Sequence, residues 1–182
     1  MRAVETALPE VLVLEPGVFE DDRGFFFEAW NRNVFKDLVG RDVDFVQDNQ
    51  SRSRKGVLRG LHYQLRQPQG KLVRVVAGSV FDVVVDVRRS SSTFGGWLGL
   101  ELSDANRRQL WIPQGFAHGF LVITEYADLV YKTTDYYNPE WDRTLRWDDP
   151  EIGIDWPLDG GRPILSAKDD AAPGLFAADV YE

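Results

Sequence analysis

Residues 72–89, LVRVVAGSVFDVVVDVRR, constrain this chain more than any other stretch, because β-branched side chains fill them and such residues favour extended backbone over helix. Ala77-Gly78-Ser79 divides the stretch into two strands, a spacing that reads as a hairpin. In the second strand a period of two puts Val80, Asp82, Val84, Asp86 and Arg88 on one face and Phe81, Val83, Val85 and Val87 on the other. The purely apolar set is expected to meet a core, and the mixed set something wetter. Strand-like pieces recur at 11–14, 24–30, 98–102, 109–112, 116–123 and 129–133, punctuated by Gly, Pro, Asn and Asp. That rhythm belongs to an all-β sandwich or barrel. Helical signal is confined to 33–39 and to the tail at 171–180. No repeat or linker interrupts the chain, so residues 1–182 read as a single domain with a less regular C-terminal extension from about Pro139. Trp141, Trp147 and Trp156 in that extension argue that it packs down on the body. A jelly roll fits such a chain, since it limits exposed strand edges and has an inward face able to hold one small ligand.

Composition removes several function classes. With no cysteine, the chain has no disulfide, no zinc–thiolate site, no iron–sulfur cluster and no thiol nucleophile. A net charge of −8 is a poor match to nucleic acid or to an anionic membrane, both of which need a basic face. The N-terminus lacks the apolar region and small-residue site of a signal peptide, and no stretch is long enough for a membrane span. A cytoplasmic protein is the expectation.

Polar and special residues concentrate in three segments: 22–28, 47–71 and 111–120. The only two histidines, His62 and His118, fall in the second and third. A three-His metal site is therefore arithmetically excluded, and no spacing puts both histidines on one element. General acid–base chemistry is the better match: His62 as a base, Tyr131 as an acid and Lys71 as a stabiliser of negative oxygen. Taken singly, His62 reads equally as a structural strand histidine, Tyr131 as a half-buried strand aromatic, and Lys71 as a solvated strand-end charge. Strand parity puts Arg59 and His62 on opposite faces unless Gly60 marks a bulge that resets the register. Arg23 and Arg59 suit bidentate phosphate binding, and Tyr136-Tyr137 could stack a nucleobase. No P-loop or dinucleotide glycine fingerprint occurs, so NAD, FAD and ATP chemistry have no support.

In order, the blocks DDRGFFFE, FVQDNQSRS, VLRGLHYQ, QGKLVRV, GSVFDVVVDVRRSS, RRQLWIPQGFAHGF, YKTTDYYNP, IGIDWP and LSAKDD strongly resemble the dTDP-4-dehydrorhamnose 3,5-epimerase family, over Asp21 to Asp170. The resemblance implies a cupin-type jelly roll acting as a homodimer with shared sites, without metal or cofactor, on a dTDP-4-keto-6-deoxyhexose. It implies that His62 is the general base paired with Asp169, Tyr131 the opposing acid and Lys71 the group near the C4 oxygen. Arg23, Glu28, Gln47, Asn49, Arg59, His118 and Lys168 are implied substrate contacts, with Tyr137 stacking on thymine. Asp142 stands where the family usually has a glutamate sugar contact, and Ser91-Ser92-Thr93 replaces the common Ser-Pro-Thr. The implied reaction inverts C3 and C5 of dTDP-4-dehydro-6-deoxy-D-glucose. Relatives that invert only C3 or only C5 share the same blocks and stay open as the alternative.

Overall fold

A computed structural model describes all 182 residues. The elements run β1 (Arg2–Glu5), β2 (Leu12–Glu15), β3 (Val18–Asp21), β4 (Gly24–Phe27), α1 (Arg32–Val39), β5 (Gln47–Arg54), β6 (Leu58–Gln64) and β7 (Lys71–Ala77). They continue through β8 (Ser79–Asp86), β9 (Trp97–Ser103), β10 (Gln109–Ile112), β11 (Phe116–Val122), β12 (Tyr126–Thr133), β13 (Asp142–Thr144) and α2 (Ala167–Asp170). Two antiparallel sheets face each other as a cupin-like jelly roll. One has the order β1-β2-β10-β7-β12-β5, the other β13-β6-β11-β8-β9, and β3-β4 stands apart as a hairpin. Between the sheets lies a core of Val73, Val75, Leu110, Ile112 and Leu129 from the first and Val80, Val84, Leu102, Phe120 and Val122 from the second.

The purely apolar face of β8 meets a core, as its pattern implied, whereas the mixed face does not meet the wetter surroundings expected of it. Its purely apolar face, Val83, Val85 and Val87, is covered from outside by the C-terminal extension through Leu145, Trp147, Ile152, Trp156 and Leu175. The mixed face turns inward, and it is not wet: Asp82 and Asp86 are both 0% exposed. Each is satisfied by protein partners, Asp82 by His118 and Asp86 by Arg88, Ser91 and Thr93, as a buried carboxylate requires.

Residues 77–79 do not form a hairpin. Strand β7 pairs with β10 and β12, whereas β8 pairs with β11 and β9, so the chain turns a corner from one sheet to the other. The corner's main-chain donors are taken by side chains, Gly78 N–H by Asp104 and Ser79 N–H by Thr124. A Cβ at Gly78 (φ 76°) would lie 2.1 Å from the Tyr126 carbonyl oxygen, so only glycine turns there.

Helix α1 forms one residue earlier than the pattern implied. Asn31 caps it by accepting from Asn33 N–H and Val34 N–H, and Gly40 closes it in the left-handed region. Its Phe35 packs with Leu14, Val43, Leu72 and Trp111 on the outside of the six-stranded sheet. The expected tail helix at 171–180 is absent. Pro173 and Gly174 break it, and the main chain is engaged elsewhere: Arg146 N–H donates to Pro173 O and Leu175 N–H to the Asp149 carboxylate.

Candidate active site

The site begins with a register shift. Along β11 and β6, His118 pairs with His62 and Phe120 with Arg59, so three steps on one strand oppose two on the other. The extra residue resets the parity, and Arg59 and His62 both face the interior. Gly60 (φ 133°) makes this fit: a Cβ there would sit 2.5 Å from Gly119 Cα. The glycine therefore serves both the backbone conformation and the close strand approach.

His62 Nε2 lies 2.5 Å from Asp169 Oδ1, with the histidine side chain 33% exposed and the aspartate 3%. Asp169 comes from the far end of the chain, on α2. Ser166 caps that turn by accepting from Asp169 N–H, and its hydroxyl donates to Asp169 Oδ2. Burial alone would raise the Asp169 carboxyl, but the bonds from His62 and Ser166 and the charge of Lys168 hold it below its ordinary value. The carboxylate is thus ionised and orients the imidazole.

Lys71 opens β7 with its Nζ 3.3 Å from the His62 carbonyl oxygen. It is buried, and burial pushes it down to about 8, against the pull of Asp142 and Asp82. Its register partner is Thr133, and Tyr131 two residues back stands opposite Asn49 and Val73 on the same inward face. Burial raises the Tyr131 phenol above its ordinary value, with Arg59 opposing, so it keeps its proton at neutral pH. His118 Nε2 lies 3.0 Å from both oxygens of the Asp82 carboxylate, which accept its N–H, the two forming a buried pair behind the register partner His62.

The rim is held by a second polar set. Tyr137 OH donates to Asp142 Oδ2 at 3.0 Å, and Lys168 Nζ reaches the same oxygen at 2.5 Å. Gln47 donates to Asn49 Oδ1 and accepts from Tyr137 N–H. Arg59 Nε is steadied by the Ser53 hydroxyl at 2.9 Å. One chain therefore brings together His62, Asp169, Lys71, Tyr131, His118, Arg59, Gln47, Asn49, Tyr137, Asp142 and Lys168. Arg23 and Glu28 stay outside this set: Arg23 pairs with Asp21 at the hairpin tip and Glu28 accepts from Asn31.

Sequence reasoning missed Asp82, Ser53 and Ser166 as supporting groups. Asp82 had a signal, being the one carboxylate mid-strand on the mixed face of β8. Ser166 had one too, since Ser-Ala-Lys-Asp is a helix-start pattern with an acidic third residue. Ser53 had none. The arrangement offers an ionised carboxylate–imidazole pair, a protonated phenol and a buried ammonium on the inward sides of β6, β12 and β7. No helix of the chain is long and apolar enough to cross a membrane.

Known proteins match this chain over most or all of its length. The sequence pattern of the dTDP-4-dehydrorhamnose 3,5-epimerase family matches residues 5–176. A Pseudomonas aeruginosa dTDP-4-dehydrorhamnose 3,5-epimerase is 57% identical over 181 residues, covering 100% of this chain and 99% of its own. A Salmonella typhimurium enzyme of the same name is 57% identical over 183 residues, covering 100% of both. The crystal structure of a Legionella pneumophila dTDP-6-deoxy-D-glucose-3,5-epimerase in complex with dTDP-4-keto-L-rhamnose superimposes with a TM-score of 0.95 at 52% identity. It covers 98% of this chain and 94% of that one. By that match over residues 5–176 and by these identities along the whole chain, this chain belongs to the dTDP-4-dehydrorhamnose 3,5-epimerase family.

Proposed function

We propose that this enzyme inverts C3 and C5 of dTDP-4-dehydro-6-deoxy-D-glucose to give dTDP-4-dehydro-L-rhamnose by proton transfer next to the C4 ketone. The observation that carries the assignment of roles is the buried Asp169 carboxylate at 2.5 Å from His62, beside the Lys71 ammonium. Asp169 accepts the hydrogen bond of one ring nitrogen, which leaves the other nitrogen's lone pair free as the base. The ketone acidifies the protons at C3 and C5. His62 takes one, the electron pair moves onto the C4 oxygen, and Lys71 stabilises the enolate. Tyr131 then delivers its phenol proton to the same carbon from the opposite face, and solvent returns a proton to Tyr131 and removes one from His62 before the next cycle. No electrons leave the sugar, so the balance needs no redox partner.

Arg59, His118, Gln47, Asn49, Asp142 and Lys168 hold the sugar and diphosphate, and Tyr137 stacks on thymine. Arg23 and Glu28 act in the site of a second copy. The support is their hairpin, which exposes Phe19, Phe25 and Phe26 by 71%, 57% and 70%, an apolar surface a monomer would not keep in water. The enzyme is a homodimer with shared sites, works without metal or cofactor, and belongs in the cytoplasm.

The test is solvent deuterium. The enzyme is incubated with dTDP-4-keto-6-deoxyglucose in heavy water with a downstream ketoreductase, and C3 and C5 are read by NMR. Label at both carbons in a rhamnose-configured product is expected. Label and inversion at one carbon would make the enzyme a mono-epimerase instead.

A further inference from the structure

Gln64 closes the block VLRGLHYQ and has no part in the chemistry above. It is 4% exposed, and its amide is fully engaged with main chain. Nε2 donates to Gln67 O at 2.5 Å and to Tyr136 O at 3.1 Å, while Oε1 accepts from Asn138 N–H at 2.8 Å. Tyr136 and Asn138 are the residues on either side of Tyr137. That ring lies in the irregular stretch between β12 and β13 and is 55% exposed, so no ladder holds its backbone. The only direct hold on its main chain is Gln47 through its N–H, and the only hold on its hydroxyl is Asp142.

Satisfying two carbonyl oxygens and one N–H from a single side chain requires both donors and an acceptor, which among side chains of this length is an amide. We propose that Gln64 is the positioning residue for the nucleotide: it fixes both flanks of Tyr137 so that the ring is already aligned for the base before substrate arrives. The inference rests on the reading of Tyr137 as the thymine platform. An aromatic face that must be ordered on binding loses part of its stacking energy to that ordering, whereas a prealigned one does not. Gln64 acts through the main chain that carries Tyr137, so its effect falls on the nucleoside half of the ligand and on KM rather than on kcat.

The test is a double-mutant cycle read by calorimetry with dTDP and, separately, inorganic pyrophosphate. Gln64→Met keeps the volume and removes the hydrogen bonds. Gln64→Glu keeps the acceptor and turns the donor into a second oxygen facing two carbonyls. Both are expected to weaken dTDP about tenfold, as does Tyr137→Ala, and to leave pyrophosphate unchanged. In the Tyr137→Ala background the Gln64 substitutions should add less than twofold. Full additivity, or equal weakening of dTDP and pyrophosphate, would overturn the proposal. Stoichiometry reports the folded fraction separately from affinity, so a poorly folding variant is not mistaken for a weak one. Unchanged dTDP affinity in Tyr137→Ala alone would instead overturn the stacking role on which the inference rests.

Discussion

Lys71 carries a charge in a place that does not favour one, and replacing it with methionine should make the enzyme slower and more stable together. Burial lowers its pKa from an ordinary 10.5 to about 8. At about 1.36 kcal/mol per tenfold, that difference means holding the protonated side chain in the fold costs roughly 3 kcal/mol. Methionine removes the cost, fills nearly the same volume, and forfeits the bond to His62 O, worth about 1 kcal/mol. A net gain of about 2 kcal/mol remains, or roughly 4–8 °C in Tm for a chain of this size. The sign with pH follows from linkage. Below pH 8 both folded and unfolded wild type carry the proton and the full cost applies. Between about 8 and 10.5 the folded protein sheds the proton first, and the wild type recovers. The advantage of Lys71→Met should therefore be greatest at pH 6 and fade toward pH 10, read by thermal unfolding across that range. Its kcat should fall by about 10²–10³, the usual loss for one donor to a developing oxyanion. The wild type's kcat/KM should decline above pH 8 as the ammonium is lost, and that limb should vanish in the variant. A Tm at or below wild type at pH 6, or an offset that does not change with pH, would refute the reasoning.

The remaining expectations concern the base, the acid and the bulge. His62→Ala should abolish turnover with the fold intact, and Asp169→Asn should lower kcat by about 10²–10⁴ while KM barely moves, because the imidazole loses its orienting charge. Steady-state kinetics with circular dichroism checks both, and full activity in a folded His62→Ala would remove the base assignment. Tyr131→Phe should suppress inversion more than solvent exchange, since His62 still works from its own side; equal loss of both by NMR in heavy water would count against the acid role. Gly60→Ala should destabilise by roughly 2–4 kcal/mol, from a forced left-handed conformation and a clash with Gly119. Gly161→Ala, where a Cβ meets nothing within 4 Å, is the control and should be neutral within about 0.5 kcal/mol in denaturant melts.

Local pattern was enough to read the strands, because alternation and β-branching report a face directly. It failed where the answer depended on a remote partner. Residues 77–79 look like a hairpin turn, but strand pairing is decided by β10, β11 and β12 further along. The mixed face of β8 points to wetter surroundings because it carries Asp82 and Asp86, when His118 and Arg88 supply their partners inside. The tail's helix-compatible residues were overruled by Pro173 and by hydrogen bonds to residues 146 and 149. The site was legible as blocks resembling one family, but its geometry was not. The partnership of His62 with Asp169 crosses 107 residues, and the shared face of Arg59 and His62 depends on a bulge that Gly60 permits but does not announce.

That long separation has a consequence for the timing of the enzyme's life. His62 leaves the ribosome early, and the carboxylate that orients it follows 107 residues later, roughly 5–20 s at ordinary translation speeds. Until the segment that carries Asp169 has been made and has settled against the five-stranded sheet, the nascent chain carries a histidine with no fixed direction. A product clipped before Ser166 inherits the same defect for good. Acquisition of activity therefore waits for the segment that carries Ser166 and Asp169.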